Sequence, residues 1–306
     1  MPCRDRAEEI WVLFRASEKS ESWIEWGLLI ATCISAVAIF AILALLVAFC
    51  MPLFTLGRIG EVLSFHWQPT GGYFGILPMC AGSLALSLLA LSMAFPAAMG
   101  ICTLLHVLAR GFFARFLLSL VRFMTAIPTV VYGFVSVFLL VPRMREWLGA
   151  GTGFSLLTAA LTLSLLILPT IVLVLHARLE QIDPVLRLAS EALGLTPIQQ
   201  MRHVLFPVAS RGIVVAAVLG MGRAVGDTLI SLMVAGNAPQ FPSSHHHSIC
   251  TLTAHVALVV ATDSHSMAYQ SLFVAGLGLF LATGLITLFI RKSGRGGREV
   301  RREKAF

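Results

Sequence analysis

Arg223 and Asp227 are the residues here best placed to do chemistry in an apolar setting, because both lie in GRAVGDT (222–228), flanked by long aliphatic runs. An arginine at mid-bilayer depth costs about 3 kcal/mol even on lenient insertion scales, so it must face water or a partner. Spacing of four puts the two side chains on one face of a continuous helix, with Asp227 the nearest partner for Arg223. Two readings follow. In one, Arg223 offers a forked, permanently charged donor to an oxyanion in transit, while Asp227 orients it and keeps it from trapping the anion. In the other, the two form a buried ion pair that fixes helix packing. Thr228 closes this segment, and AIPTVVYGF (126–134) adds Thr129 and Tyr132 to the candidate path. Pro128 removes a backbone hydrogen bond and Gly133 allows close helix approach, so this stretch is expected to kink or unwind. Its freed backbone groups and hydroxyls would then line a polar route, since irregular backbone at such depth needs protein or water beside it. A proline-kinked packing helix is the alternative.

A second informative stretch is DPVLRLASEALGLTPIQQMRHVLFPVASR (183–211). Asp183 before Pro184 is a helix start, Gly194 permits a sharp turn, and Pro207 limits the second helix. Two short helices meeting at a glycine make a compact knob for a partner's groove, where the plainer reading is an ordinary amphipathic helix pair. Other chemistries find little support. A phosphate-cradling loop needs a lysine after its glycines, and Lys19, Lys292 and Lys304 follow none, so any ATP must be hydrolysed by a separate subunit. No cofactor or metal is expected in this chain, and no nucleophile and base or metal constellation marks it as an enzyme. His245, His246 and His247 invite a metal reading, but adjacent imidazoles rarely converge on one ion, and a solvent-facing loop is the simpler account.

The elements that must hold these residues are long apolar blocks. Hydrophobic residues make up 58% and charged residues 12% of the 306, about half the charge of a soluble domain. Six stretches reach the roughly 20 apolar residues that a membrane helix needs: 27–50, 78–105, 116–141, 154–175, 212–235 and 269–290. The expected fold class is an all-α integral membrane protein of about six transmembrane helices. An N-terminal segment (1–26), the six-helix domain (27–290) and a basic tail (291–306) follow from these limits. The first block is too long for a signal-peptide core and is read as a retained span. Of the 22 Lys and Arg, 18 fall in the tails and in the connections after the second and fourth blocks, against Arg58, Arg143 and Arg145 on the other side. Both termini are therefore expected in the cytoplasm. The net charge of +7 is concentrated in the tail, where seven basic residues suit anionic lipid rather than nucleic acid. Trp67 and Tyr73 in the first external loop suit the headgroup level, and 254–262, too short to span, suggests a short external or re-entrant helix. An ion-coupled secondary transporter usually carries several acids inside the membrane, and of fifteen Asp and Glu only Asp227 falls in a block.

The pattern of Ala189, Ala192, Leu193 and Gly194, followed by Pro207, resembles the EAA loop of bacterial ABC importer permeases. The pattern's leading Glu falls at Leu188 here, and Glu191 occupies a variable position. FHWQPTGGYFGILPM before the second block, AIPTVVYGF and GRAVGDT together resemble the permease subunits of binding-protein-dependent phosphate importers (Pst-type, PstC/PstA-like), over roughly 65–237. That family usually has Glu where Asp227 stands. The resemblance implies a MetI-like permease fold and a multi-pass protein of the bacterial inner membrane. It implies a coupling role for Ala189, Glu191, Ala192, Leu193, Gly194 and Pro207, docking on an ATP-binding ABC subunit dimer. It also implies a second homologous permease subunit, an external phosphate-binding protein and import by alternating access. A permease for sulfate or molybdate would show much the same charges.

Overall fold

The computed structural model describes the backbone of residues 3–55, 59–62, 64–68, 71, 73–108, 111–148, 152–260 and 267–303. The side chains of the tail residues Arg4, Arg6, Arg15, Lys19 and 291–306, together with Arg58, Arg110 and His265, lie outside the described residues. In chain order the helices are α1 (Cys3–Thr55), α2 (Ile59–Val62), α3 (Leu77–Thr103), α4 (Phe112–Ala126), α5 (Thr129–Val135), α6 (Val141–Leu148) and α7 (Leu156–Glu180). There follow α8 (Pro184–Ala192), α9 (Pro197–Gln200), α10 (Phe206–Val208), α11 (Ser210–Val225), α12 (Leu229–Val234), α13 (Leu252–Val259) and α14 (Met267–Glu303). Wide π-type turns extend α3 at Leu104–Leu108, α5 at Ser136–Leu140 and α9 at Met201–Leu205. A two-residue antiparallel hairpin, β1 (Trp67–Gln68) and β2 (Tyr73–Phe74), precedes α3.

Four helical stretches are long and apolar enough to cross a membrane: Glu25–Met51, Leu77–Val107, Leu156–Glu180 and Ser271–Phe289. Two bent pairs bring the total to as many as six: Phe112–Ala126 with Thr129–Trp147 at 95°, and Pro197–Val208 with Ser210–Val225 at 77°. The third expected span is thus sharply broken, and its chemistry explains why. Pro128 has no N–H and drives the preceding residue out of the helical region, and Ile127 is extended at φ −73°, ψ 124°. The fifth expected span, 212–235, is also interrupted, because α11 stops at Val225 and α12 begins at Leu229.

α7 is the core of the unit formed by residues 53–306. Leu163, Ile167, Ile171, Leu175 and Leu179 recur every four residues with no exposed surface, while Ala159, Ala160 and Val172 are as deeply buried on its other sides. A helix apolar all round must be enclosed, and α3, α4 and α11 enclose it. α3 presents Leu86, Ala90, Ala94, Ala98 and Cys102, a stripe of mostly small residues that lets two backbones approach where lipid supplies no hydrophobic drive. α11 approaches α7 at Gly220, where a β-carbon would lie 2.7 Å from Cγ1 of buried Ile171. Outward faces carry Leu84, Leu88, Phe134, Phe138, Leu281 and Leu285, all more than half exposed, as lipid contact requires. In α1, described by itself, the Glu25–Met51 stretch is almost wholly exposed.

A second apolar cluster, Val62, Ile76, Met79, Cys250, Leu252 and Ala254, joins the hairpin region to α13. α13 is the expected short helix, and its His255 is buried with the ring 4.4 Å edge-on to Trp67. The three consecutive histidines serve α7: carbonyls of His247 and His245 accept the N–H groups of Leu156 and Leu157 at 3.0 and 2.9 Å. Among the described residues no three His, Cys, Asp or Glu side chains converge as a metal site. Gly220→Ala is expected to cost about 1–3 kcal/mol by overpacking against Ile171, read as a lower thermal midpoint of the protein in detergent; an unchanged midpoint would show that α11 and α7 are not held this closely.

Candidate functional site

The sequence places Arg223 and Asp227 on one helical face, and the structure corrects this. α11 ends between them, with Gly226 as its C-cap, so the four-residue spacing no longer aligns them. Asp227 instead turns its carboxylate onto the start of α12, where Oδ2 accepts the Ile230 N–H at 2.9 Å. Short acidic side chains are favoured in this role because they satisfy a donor that the first turn leaves unpaired. The Asp227 carbonyl accepts the Thr253 hydroxyl at 2.9 Å, tying the break to the threonine just inside α13. Among the described residues no ion pair within 4.0 Å joins Arg223 to Asp227. Arg223 is exposed, makes no hydrogen bond among them, and yet lies near enough for its charge to act on both Asp227 and Tyr132.

Tyr132 shows how the other break is closed. In an unbroken helix the Met124 carbonyl would accept from residue 128, but a proline has nothing to donate. The Tyr132 hydroxyl donates to that carbonyl instead, at 2.9 Å across the bend. Thr129 is half-buried in the first turn of α5, and Thr228 starts α12 without using its side chain as a cap. α5 packs on α12, with Gly133 against Met233. The two interrupted spans therefore meet, bringing Asp227 and Tyr132 each within electrostatic reach of Arg223.

The stretch 183–211 folds as an elbow. Asp183 Oδ1 accepts the Val185 N–H at 2.9 Å and starts α8. Its end is a Schellman turn: Leu195 N–H donates to the Ser190 carbonyl and Gly194 N–H to that of Glu191, with Gly194 at φ +72°. Thr196 and Gln199 then exchange hydrogen bonds in a capping box that begins α9. Buried Gln200 holds the two arms together by donating to the Arg187 carbonyl at 3.0 Å and to the Ser190 hydroxyl. Ala189, Glu191, Ala192, Leu193, Gly194 and Pro207 are all exposed. Val185, Leu188, Leu193 and Ile198 are 59–80% exposed on the same elbow, an apolar surface on a polar connection that suits a partner.

Sequence reasoning missed a cluster where the elbow meets the bundle. Arg187 Nη2 donates to the Leu179 carbonyl at 3.0 Å and to His106 Nδ1 at 3.5 Å. His106 Nε2 is 2.9 Å from His176 Nδ1, and His176 Nε2 is 3.3 Å from Glu180. The available signal was a lone histidine near the end of each of two apolar blocks.

The profile of the binding-protein-dependent transport system inner membrane component matches residues 97–293. The chain belongs to this family. It is 34% identical over 231 residues to YqgH of Bacillus subtilis, a probable ABC transporter permease protein, covering 74% of this chain and 75% of that one. It is 26% identical over 295 residues to the phosphate transport system permease protein PstC of Haemophilus influenzae, covering 89% and 93%. Among solved structures, a bacterial ABC transporter involved in import of the polysaccharide alginate superposes with a TM-score of 0.56 at 17% identity, over 82% of this chain and 95% of that one. The permease is thus PstC-like in sequence and MetI-like in fold, as the resemblance implied.

Three variants separate the roles seen in this permease. Asp227→Ala is expected to lose about 1 kcal/mol with the α12 cap, whereas Asp227→Asn keeps the acceptor and stays within about 0.5 kcal/mol; equal losses in thermal unfolding would show that the cap does not matter. Gly194→Ala places a β-carbon at φ +72°, and about 1–2 kcal/mol of strain is expected, visible as faster proteolytic nicking of the elbow.

Proposed function

We propose that this permease forms one half of the membrane channel of an ATP-driven importer whose cargo is an inorganic oxyanion, phosphate in particular. The observation that carries the reading is Arg223: a permanent cation in the last turn of α11, beside the break before α12, with no ion pair among the described residues. A guanidinium matches a tetrahedral oxyanion through parallel N–H donors and cannot lose its charge. Asp227 stands close enough to weaken an anion's hold, so that the cargo can leave as well as enter. Thr129, Thr228 and Tyr132 supply hydroxyls at the same breaks. The likeness to PstC supports phosphate over sulfate or molybdate.

In this scheme the elbow lies on the cytoplasmic side, with both termini, in the inner membrane. An ATP-binding subunit dimer grips the exposed aliphatic residues around Ala189, Glu191, Ala192, Leu193 and Gly194, and hydrolyses the ATP that this chain has no loop to bind. A second, homologous permease completes the channel, and an external binding protein delivers phosphate to its outer mouth. Closure of the ATPase dimer pulls the elbows, and the helices rock so that Arg223 faces each side in turn. The cargo shifts that equilibrium only through its different affinity for the two states. Arg223→Gln removes a charged hydrogen bond worth about 1.5–3 kcal/mol and is expected to lower phosphate uptake by the reconstituted complex at least tenfold with assembly intact. Wild-type uptake by that variant removes Arg223 from the path, and failure of excess phosphate to compete for transport refutes the cargo.

A further inference from the structure

We propose that Arg187, His106 and His176 form a directional hydrogen-bond relay that latches the elbow to the ends of α3 and α7, and that the latch closes only while both imidazoles are neutral. This inference rests on the elbow's docking role proposed above and adds positioning residues to it. The direction follows from donor chemistry. A guanidinium has donors only, so His106 Nδ1, 3.5 Å from Arg187, must present its lone pair. The proton of neutral His106 is then on Nε2 and points at His176 Nδ1, 2.9 Å away. His176 Nδ1 accepts, so its own proton is on Nε2, facing Glu180 Oε1 at 3.3 Å. Donors thus run one way from a cation on α8, through the wide turn after α3, to a carboxylate on the last turn of α7.

Arg187 also donates to the Leu179 carbonyl at 3.0 Å, which the Ile182 N–H reaches only at 3.4 Å at the end of α7. One side chain on the docking helix therefore grips both α7 and α3. The elbow's second arm is carried along, because Gln200 donates to the Arg187 carbonyl itself at 3.0 Å. A pull on the exposed face of α8 reaches the two most tightly packed helices through this contact.

Adding a proton opens the chain. If His176 is charged, its Nδ1–H faces the Nε2–H of His106; if His106 switches tautomer in response, its new Nδ1–H faces Arg187. Every arrangement with an extra proton loses one junction. The charged groups facing the pair are Arg187 on α8, Arg115 on α4 and Glu180 on α7, all lining the same cavity of about 480 Å³.

The test uses the purified transport complex in proteoliposomes, with phosphate uptake and ATP hydrolysis measured together. Arg187→Ala is expected to lower phosphate moved per ATP about tenfold, the scale of one charged hydrogen bond, with hydrolysis retained and Arg187→Lys restoring part of the coupling. Lowering pH on the ATP-supplied face from about 7.5 to about 4, far enough to charge a buried imidazole, is expected to lower wild-type coupling about tenfold. His106→Asn keeps an acceptor for Arg187 that cannot be protonated in this range and flattens the profile to less than about twofold. An acid profile for His106→Asn equal to wild type, or unchanged coupling in Arg187→Ala, overturns the latch. Nitrogen-15 spectra of the imidazoles in bilayers separate this from the transport reading: two neutral Nε2–H rings coupled through a hydrogen bond are expected even if phosphate is not the cargo, and a charged or uncoupled pair at neutral pH sinks the relay.

Discussion

Everything in this permease depends on how two helix breaks satisfy their backbone groups in spans whose lipid surroundings offer no hydrogen-bond partner. In hydrocarbon each unpaired N–H or C=O costs several kcal/mol, so a broken span survives only with an internal substitute. At Pro128 the substitute is the Tyr132 hydroxyl on the stranded Met124 carbonyl, and at Gly226 it is the Asp227 carboxylate on the Ile230 N–H. Both repairs come from residues within eight positions of the break, so each is local and survives movement of the helix as a whole. That property ties each break's geometry to its own segment, not to distant contacts.

The rest of the unit divides into a part held by apolar packing and a part held by polar contacts. α7 is packed over most of its surface by aliphatic and small residues and is capped at its start by Ser155. The elbow, by contrast, holds its shape with polar contacts: a Schellman turn, a capping box and the Gln200 bridge. Directional bonds suit an exposed connection that must keep a shape without a core of its own. Its aliphatic side chains are then free to face outward, where they are available to a partner.

The fold class was legible because span-forming residues come in long runs, and hydropathy alone separates α1, α3, α7 and α14. Pro207 does not stop the second arm of the elbow, which runs through it to Val208 before the chain turns, but the elbow was equally legible from Asp183 and Gly194, since each acts through its own backbone preference. Pro128 announced a break for the same reason. Gly226 did not, because a glycine inside an apolar run is tolerated in a helix as often as it ends one, and nothing local says that Asp227 will cap forward instead of pairing backward. The pairing inferred for Arg223 failed on that point. His106 and His176 are 70 residues apart in sequence, and only the packing of α3 on α7 brings them together. Contacts of that kind carry no local pattern to read.

The charge at Arg223 takes its meaning from the capping of Asp227. An Asp committed to a helix start is held by geometry, and its short stem keeps the carboxylate on its own backbone. Were the same carboxylate free to fold back onto Arg223, the two would neutralise each other and a passing anion would have to displace an internal partner that is always present. With the carboxylate fixed nearby but outside ion-pair distance, the guanidinium keeps its donors available while its field is partly offset. On the function proposed above, an anion would meet a site that attracts it without a competing bond and holds it less firmly than a bare cation in hydrocarbon would. Weak capture by an available fork is what alternating access needs, because a site that held its cargo equally firmly in both orientations could not release it.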